Sequence, residues 1–194
     1  PTASAKPSRR CAMPWTTNKS GCWYNFIREK LLKKMSKPFA DAFLFDGSQS
    51  DIDAQLEEQD AFIDRYGPIS VEVLGIGMNG HLGFNEDGVD FSLRSHRTPL
   101  SATTKSVQRK YFSGQDLPLT EGITLGIAQI MESKTVIVIA NGKKKAEIVA
   151  EAILGPVTNR VPASVLQEHP NCIYLLDDEA ASLLPADLPG LQEI

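Results

Sequence analysis

One short stretch of the chain is dense in groups that can do chemistry: Leu74–Gly88, "LGIGMNGHLGFNEDG". It sets an imidazole, His81, five residues ahead of a carboxylate, Glu86, on backbone that several glycines leave free to bend. A histidine with a carboxylate close by can pass protons near neutral pH, which suits general acid–base work. Gly75, Gly77 and Gly80 also satisfy G-x-G-x-x-G, the pattern of a dinucleotide-binding turn. That turn needs its third glycine to open a helix facing a pyrophosphate. Here "HLGFNEDG" follows, with Gly83, Asn85 and Gly88 set against any helix, and no acidic residue stands at a second strand tip. The plainest alternative is a tight strand exit in which His81 is an ordinary loop histidine.

The loop must be held by a scaffold, and the pattern of apolar residues predicts one. "ISVEVLGIG" reads as a strand running into the glycines, and "TVIVIAN" (Thr135–Asn141) as an unbroken β-branched strand covered on both faces. "CIYLLDD" (Cys172–Asp178) reads as a last strand, and "AFLF" (Ala42–Phe45) as a short buried one. Helices are expected from Cys22 to Met35, and from a Ser50 cap to Tyr66 with Ile52, Leu56, Phe62, Ile63 and Tyr66 inward. Further helices are expected from Thr120, carrying Ile123, Ile127, Ile130 and Met131, and along "KKAEIVAEAIL". Strands alternating with helices predict an α/β fold: a single-domain, Rossmann-like parallel sheet with helices on both faces. Loops at the C-terminal ends of parallel strands are where such sheets bind ligands. The domain is expected over 21–194, with residues 1–20 irregular and free of Asp and Glu.

Bulk properties exclude several classes. With 194 residues, 42% apolar and 23% charged, the chain has the make-up of one globular domain. A net charge of −4 gives no support for nucleic-acid or anionic-membrane binding. No window approaches the apolar length that spans a bilayer. Cys11, Cys22 and Cys172 are odd in number and widely spaced, so neither a disulfide framework nor a zinc site is expected, and a reducing cytoplasm fits. Cys172 opens an apolar run and reads as a small core residue.

"LGIGMNGHLGFNEDG" resembles the signature of the glucosamine-6-phosphate deaminase (isomerase) family, G-x-G-x-[DN]-G-H-[IL]-[AG]-F-N-E-P. The likeness continues in "LTEGITLGIAQIMESKTVIVIANGKKKAEIVAEAIL" and "VPASVLQEHPNCIYLLDDEAASLL", and covers roughly Gly21 to Leu184. The related 6-phosphogluconolactonases share the Gly-x-Gly-x-x-Gly-His start but typically lack the Phe-Asn-Glu that stands here as Phe84, Asn85 and Glu86. The resemblance implies an enzyme that opens an amino-sugar 6-phosphate, isomerises it between C1 and C2, and releases ammonia and a ketohexose 6-phosphate. It implies no metal or organic cofactor. His81 matches the ring-opening histidine and Glu86 the carboxylate that assists it, and Asn79 stands where members carry Asp or Asn. Gly77 and Gly80 shape the substrate loop. Lys145 matches the phosphate-binding lysine at a helix start, where free N–H groups are expected to help, and Lys143 and Lys144 read as a solvated run. Lys110 falls where the family has a phosphate-binding arginine, with Arg109 as its substitute.

His96 and His169 read as structural. The basic positions of an allosteric site in some members fall on His96 and Thr98, so that regulation is not implied. Asp87 replaces the family's usual Pro. The resemblance does not separate glucosamine 6-phosphate from galactosamine 6-phosphate, and a non-catalytic sugar-phosphate binder remains the rival reading. Members of the family occur as monomers and as hexamers, so homo-oligomer formation is left open. The family's C1/C2 proton-transfer base lies ahead of Gly21, in a segment this chain does not match. The 194 residues as written are therefore expected to be a poor catalyst.

Overall fold

The computed structural model describes residues 23–46, 51–108 and 120–192. Its centre is a parallel three-stranded sheet in the order β1 (Glu72–Gly75), β4 (Val136–Ala140), β5 (Cys172–Leu176). Gly75 is in register with Ile139, and Ile139 with Leu175, so the three strands end together. A separate antiparallel pair, β2 (His96–Pro99) and β3 (Glu121–Thr124), lies between β1 and β4 in sequence. The helices are α1 (Trp23–Lys30), α2 (Ile52–Tyr66), α3 (Ala102–Gln108), α4 (Ile127–Glu132), α5 (Ala146–Leu154) and α6 (Asp178–Ala181). Among the described residues no helix is long and apolar enough to cross a membrane.

The core gathers Ile76, Leu82, Ile127, Ile130, Val136, Val138, Val149 and Leu166. Each such side chain contributes roughly 1.5–3 kcal/mol by leaving water. Cys172 packs against this cluster, and burial pushes its thiol up to about 11. The other face of the sheet differs from expectation. Val73, Ile139, Ile173 and Leu175 are all exposed, so among the described residues "TVIVIAN" is covered on one face only.

Three local expectations are corrected. Residues 42–45 form no strand, since the backbone of Asp46 is held instead by the Gln55 side chain of α2. The cap of α2 is Asp51, whose carboxylate accepts the Ala54 N–H at 2.9 Å, while Ser50 lies outside the described residues. Its buried side chains are Gln55, Leu56, Gln59 and Ile63, and Tyr66 is exposed, donating its hydroxyl to Asp41. The helix expected from Thr120 begins only at Ile127. Residues 121–124 instead form the strand β3 by pairing with β2, and Gly122 lies so close to Phe84 and Leu100 that a Cβ there would collide with both.

His169 is structural, as expected: its Nε2–H donates to the Ser133 carbonyl at 2.8 Å and Nδ1 accepts the Asn171 N–H at 3.1 Å. Beside it, at the end of the sheet away from the glycine loop, Glu72 is buried. The Ser133 hydroxyl lies 2.9 Å from Glu72 Oε2 and 3.1 Å from the Gln129 carbonyl, with one hydrogen for two acceptors. A proton on Glu72 resolves that shortage by donating to Ser133 Oγ. Burial pushes the Glu72 carboxyl above its ordinary 4.5, against smaller opposing effects of Ser133 and His169. A raised folded-state pKa adds stability that is fully present below the unfolded value and is lost as pH rises through the folded one. Denaturant midpoints of the wild type should therefore fall from mildly acidic to alkaline pH. Glu72→Gln should flatten that dependence; equal slopes in both proteins would refute the assignment.

Candidate active site

The strand β1 delivers the chain to the C-terminal edge of the sheet, and there the glycines do two different jobs. Gly77 faces the His81 imidazole so closely that a Cβ would stand inside the ring's contact distance. Gly80 has φ +78, and a Cβ on it would meet Val161 Cγ1 at 2.6 Å. No helix follows Gly80; the chain instead makes the short bridges Ile76 to Leu82 and Leu82 to Asn85. The dinucleotide reading fails on that geometry.

Backbone bonds tie the loop to its neighbours. Gly77 N–H donates to His81 O at 2.9 Å, Ala163 N–H to Gly80 O at 2.8 Å and Gly88 N–H to Asn159 O at 2.9 Å. Asn85 is fully buried, and its Nδ2 donates to the carbonyls of Leu82 (2.8 Å) and Leu125 (2.9 Å), locking the loop to the entry of α4.

The loop brings His81, Glu86 and Asn79 together. His81 Nδ1 lies 3.5 Å from Glu86 Oε2, and the two side chains are 19% and 9% exposed. Asn79 Nδ2 donates to the same Oε2 at 2.9 Å. The other carboxylate oxygen, Oε1, accepts the Thr104 hydroxyl at 2.5 Å and the Ser101 N–H at 3.4 Å. Burial alone would push the Glu86 carboxyl up. The bonds from Thr104 and Asn79, the His81 charge and the Ser101 N–H outweigh it and hold the group below its ordinary 4.5. Ser101 and Thr104 were not singled out from sequence. They stand 15 and 18 residues from Glu86, and the local cue, a serine opening a helix, says nothing about what else that helix touches.

Lys145 comes from the neighbouring strand. The chain leaves β4, turns at Gly142 (φ +84) and runs through a 3₁₀ turn, Lys143–Lys145, into α5. Lys145 Nζ reaches back to donate to the Ile76 carbonyl at 2.5 Å, which sets it beside the glycine loop. Lys143 and Lys144 make no side-chain contact of this kind. Two of the N–H groups expected here are already used: Gly142 N–H donates to the Asp177 carboxylate and Lys143 N–H to Glu179 Oε2 at 3.1 Å. Fixed positive charge at this point therefore comes from the Lys145 side chain, whose pKa burial lowers. Arg109 and Lys110 lie outside the described residues. His96 donates Nδ1–H to the Arg94 carbonyl at 2.8 Å, far from this cluster in its contacts. Among the described residues no group of His, Cys, Asp or Glu is placed to hold a metal ion.

The electrostatics of His81 follow from its neighbours. Burial lowers its pKa from 6.5, Glu86 opposes that, and the Lys145 charge lowers it further. His81 is thus a neutral imidazole at neutral pH, able to accept a proton. In an NMR titration Lys145→Met should raise the His81 pKa and Glu86→Gln should lower it. Shifts of the opposite sign would show that the three groups are not coupled as their geometry requires.

Known proteins resemble the chain in sequence and in fold. Residues 16–174 match the family model described as glucosamine-6-phosphate isomerases/6-phosphogluconolactonase. A glucosamine-6-phosphate deaminase of Streptococcus uberis is 42% identical over 159 residues, covering 82% of this chain and 67% of the relative. One from Listeria monocytogenes is 38% identical over 167 residues, covering 86% and 70%. Among solved structures, a monomeric glucosamine-6-phosphate deaminase superposes with a TM-score of 0.79 at 32% identity, over 83% of this chain and 67% of that one. A 6-phosphogluconolactonase from Thermotoga maritima shares the fold, with a TM-score of 0.60 at 18% identity over 79% and 63%. The family model matched over residues 16–174, together with a relative 42% identical over 82% of the chain, makes this chain a member of the glucosamine-6-phosphate isomerase/6-phosphogluconolactonase family.

Proposed function

We propose that the protein is an amino-sugar-6-phosphate deaminase/isomerase that converts glucosamine 6-phosphate to a ketohexose 6-phosphate and ammonia. The observation that carries the reading is the placement of His81, 3.5 Å from Glu86 and flanked by Lys145, at the C-terminal edge of the parallel sheet. The names of the relatives support glucosamine over galactosamine as the sugar. The intact Phe84-Asn85-Glu86 run favours deamination over lactone hydrolysis, because Glu86 is the group that orients His81.

Ring opening requires an acceptor for the anomeric proton and a donor for the ring oxygen. With Nδ1–H directed at Glu86, His81 presents Nε2 as the acceptor, and the protonated imidazole then returns the proton to the ring oxygen. Glu86 steadies the imidazolium that forms in between. Lys145 supplies charge for the 6-phosphate, and Lys110, by the family match, adds a second cation. Proton transfer between C1 and C2 is a separate task for a base outside this pair. No cofactor is required, the substrate is the only partner assigned, neither nucleic acid nor membrane has a place in this scheme, and the three widely spaced cysteines fit a reducing cytoplasm.

Ammonia release and product identity test the proposal, with fructose 6-phosphate expected from glucosamine 6-phosphate and tagatose 6-phosphate from the galactose epimer. Calorimetric binding of glucosamine 6-phosphate without ammonia release would instead favour a non-catalytic binder. His81→Ala should cut turnover about 10²–10⁴-fold while affinity stays within about tenfold, because the histidine acts on the moving proton. Lys145→Ala should chiefly weaken binding, by about 1.5–3 kcal/mol, the worth of a charge-assisted phosphate contact. The converse pattern would reverse the two roles.

A further inference from the structure

The hydrogens around Glu86 can be followed one by one. Ser101 Oγ accepts the Thr104 N–H at 3.1 Å, capping the first turn of α3, and lies 2.9 Å from Thr104 Oγ1. Its single hydrogen goes to Thr104 Oγ1, so the single hydrogen of Thr104 goes to Glu86 Oε1. The Ser101 N–H, which cannot be reversed, is aimed at that same oxygen. Oε2 is faced by the Asn79 amide hydrogens. Both oxygens of Glu86 therefore see donors, and the remaining neighbour is His81 Nδ1. This buried nitrogen lies 3.5 Å from Oε2; among the described residues it makes no hydrogen bond to any other group and, at that distance, no well-formed one to Glu86.

We propose that Thr104, oriented by Ser101, is a positioning residue for the reaction: it fixes Glu86 as a proton acceptor and so selects the His81 tautomer that carries its hydrogen on Nδ1 and leaves Nε2 for substrate. The inference rests on the deaminase reading for its catalytic consequence, but not for its geometry. Among the described residues the charged group against the carboxylate is His81, with Lys145 acting on His81 from the β4 side; α3 contributes only the uncharged Thr104 and Ser101. A wrong tautomer is costly because it leaves Glu86 without its imidazole donor and turns an N–H toward the substrate hydroxyl, where a lone pair is needed.

The test removes the hydroxyl and then restores it. In Thr104→Val the Glu86 carboxyl, followed by carbon NMR against Glu86→Gln as the blank, should titrate at higher pH than in the wild type. The acid limb of the kcat/KM profile should move up with it. Turnover should fall about tenfold or more, the worth of one hydrogen bond to a charged group, with KM nearly unchanged. Thr104→Ser, which keeps the donor, should restore all three. An unmoved carboxyl titration in Thr104→Val, or a Thr104→Ser variant as impaired as Thr104→Val, would overturn the proposal. If the wild type releases no ammonia while the carboxyl moves in Thr104→Val and returns in Thr104→Ser, the positioning of Glu86 stands apart from the deaminase reading.

Discussion

The constraint on which the structure depends is the burial of one carboxylate. Glu86 is nearly closed off from water, and an ionised carboxyl in such a place is strongly unfavourable unless donors replace its hydration. No single segment supplies enough of them. Asn79 and His81 come from the glycine loop, and Ser101 and Thr104 from the start of α3, fifteen or more residues on. The hairpin partner β2 ends at Pro99, two residues before Ser101, so the β2–β3 pair is what brings α3 to the carboxylate. A pair of strands that contributes no side chain to this cluster thus helps the buried carboxylate exist in its charged form.

Close approach is the second requirement, and it explains the glycine spacing without a nucleotide. Gly77 makes room for the His81 ring, and Gly80 adopts a backbone conformation that other residues avoid while Val161 presses against it. Bonds from Ala163 and Asn159 to the loop, and from Asn85 to Leu125, then remove its remaining freedom. A proton-transferring pair gains from this because a loop that is fixed in advance need not reorganise when charge develops.

Much of this was legible in the sequence, for identifiable reasons. β4 and β5 are unbroken apolar runs, β1 follows Glu72 into the glycines, and His81, Glu86 and Asn79 sit within eight residues of one another, so local pattern located both. β2 and β3 were missed because "HRTP" and "EGIT" have no apolar alternation; they are strands by virtue of pairing with each other. Ala42–Phe45 looked like a strand and is not one, since β-propensity without a paired neighbour does not make a ladder. The apolar residues of the sheet were read as covered twice, whereas Val73, Ile139, Ile173 and Leu175 stand open among the described residues of a chain spanning 67% of its Streptococcus uberis relative. Hydropathy reports that a residue prefers burial; what buries it is a property of other segments.

The remaining question is why the pair needs Lys145 so near. A buried imidazole beside a carboxylate would tend to hold a proton, and a protonated imidazole cannot take one from substrate. Three influences act on His81: burial and the Lys145 ammonium favour the neutral form, and Glu86 favours the charged one. The lysine therefore offsets the basicity that Glu86 confers, while Glu86 still fixes the ring's orientation. Its tether to the Ile76 carbonyl makes that offset a matter of fixed distance, since the bonded carbonyl lies at the root of the loop that carries His81. On the proposed function, charge for a substrate's phosphate and charge for tuning His81 are then the same charge. That economy accounts for a half-buried lysine at a helix start where two of the N–H groups are already bonded to Asp177 and Glu179.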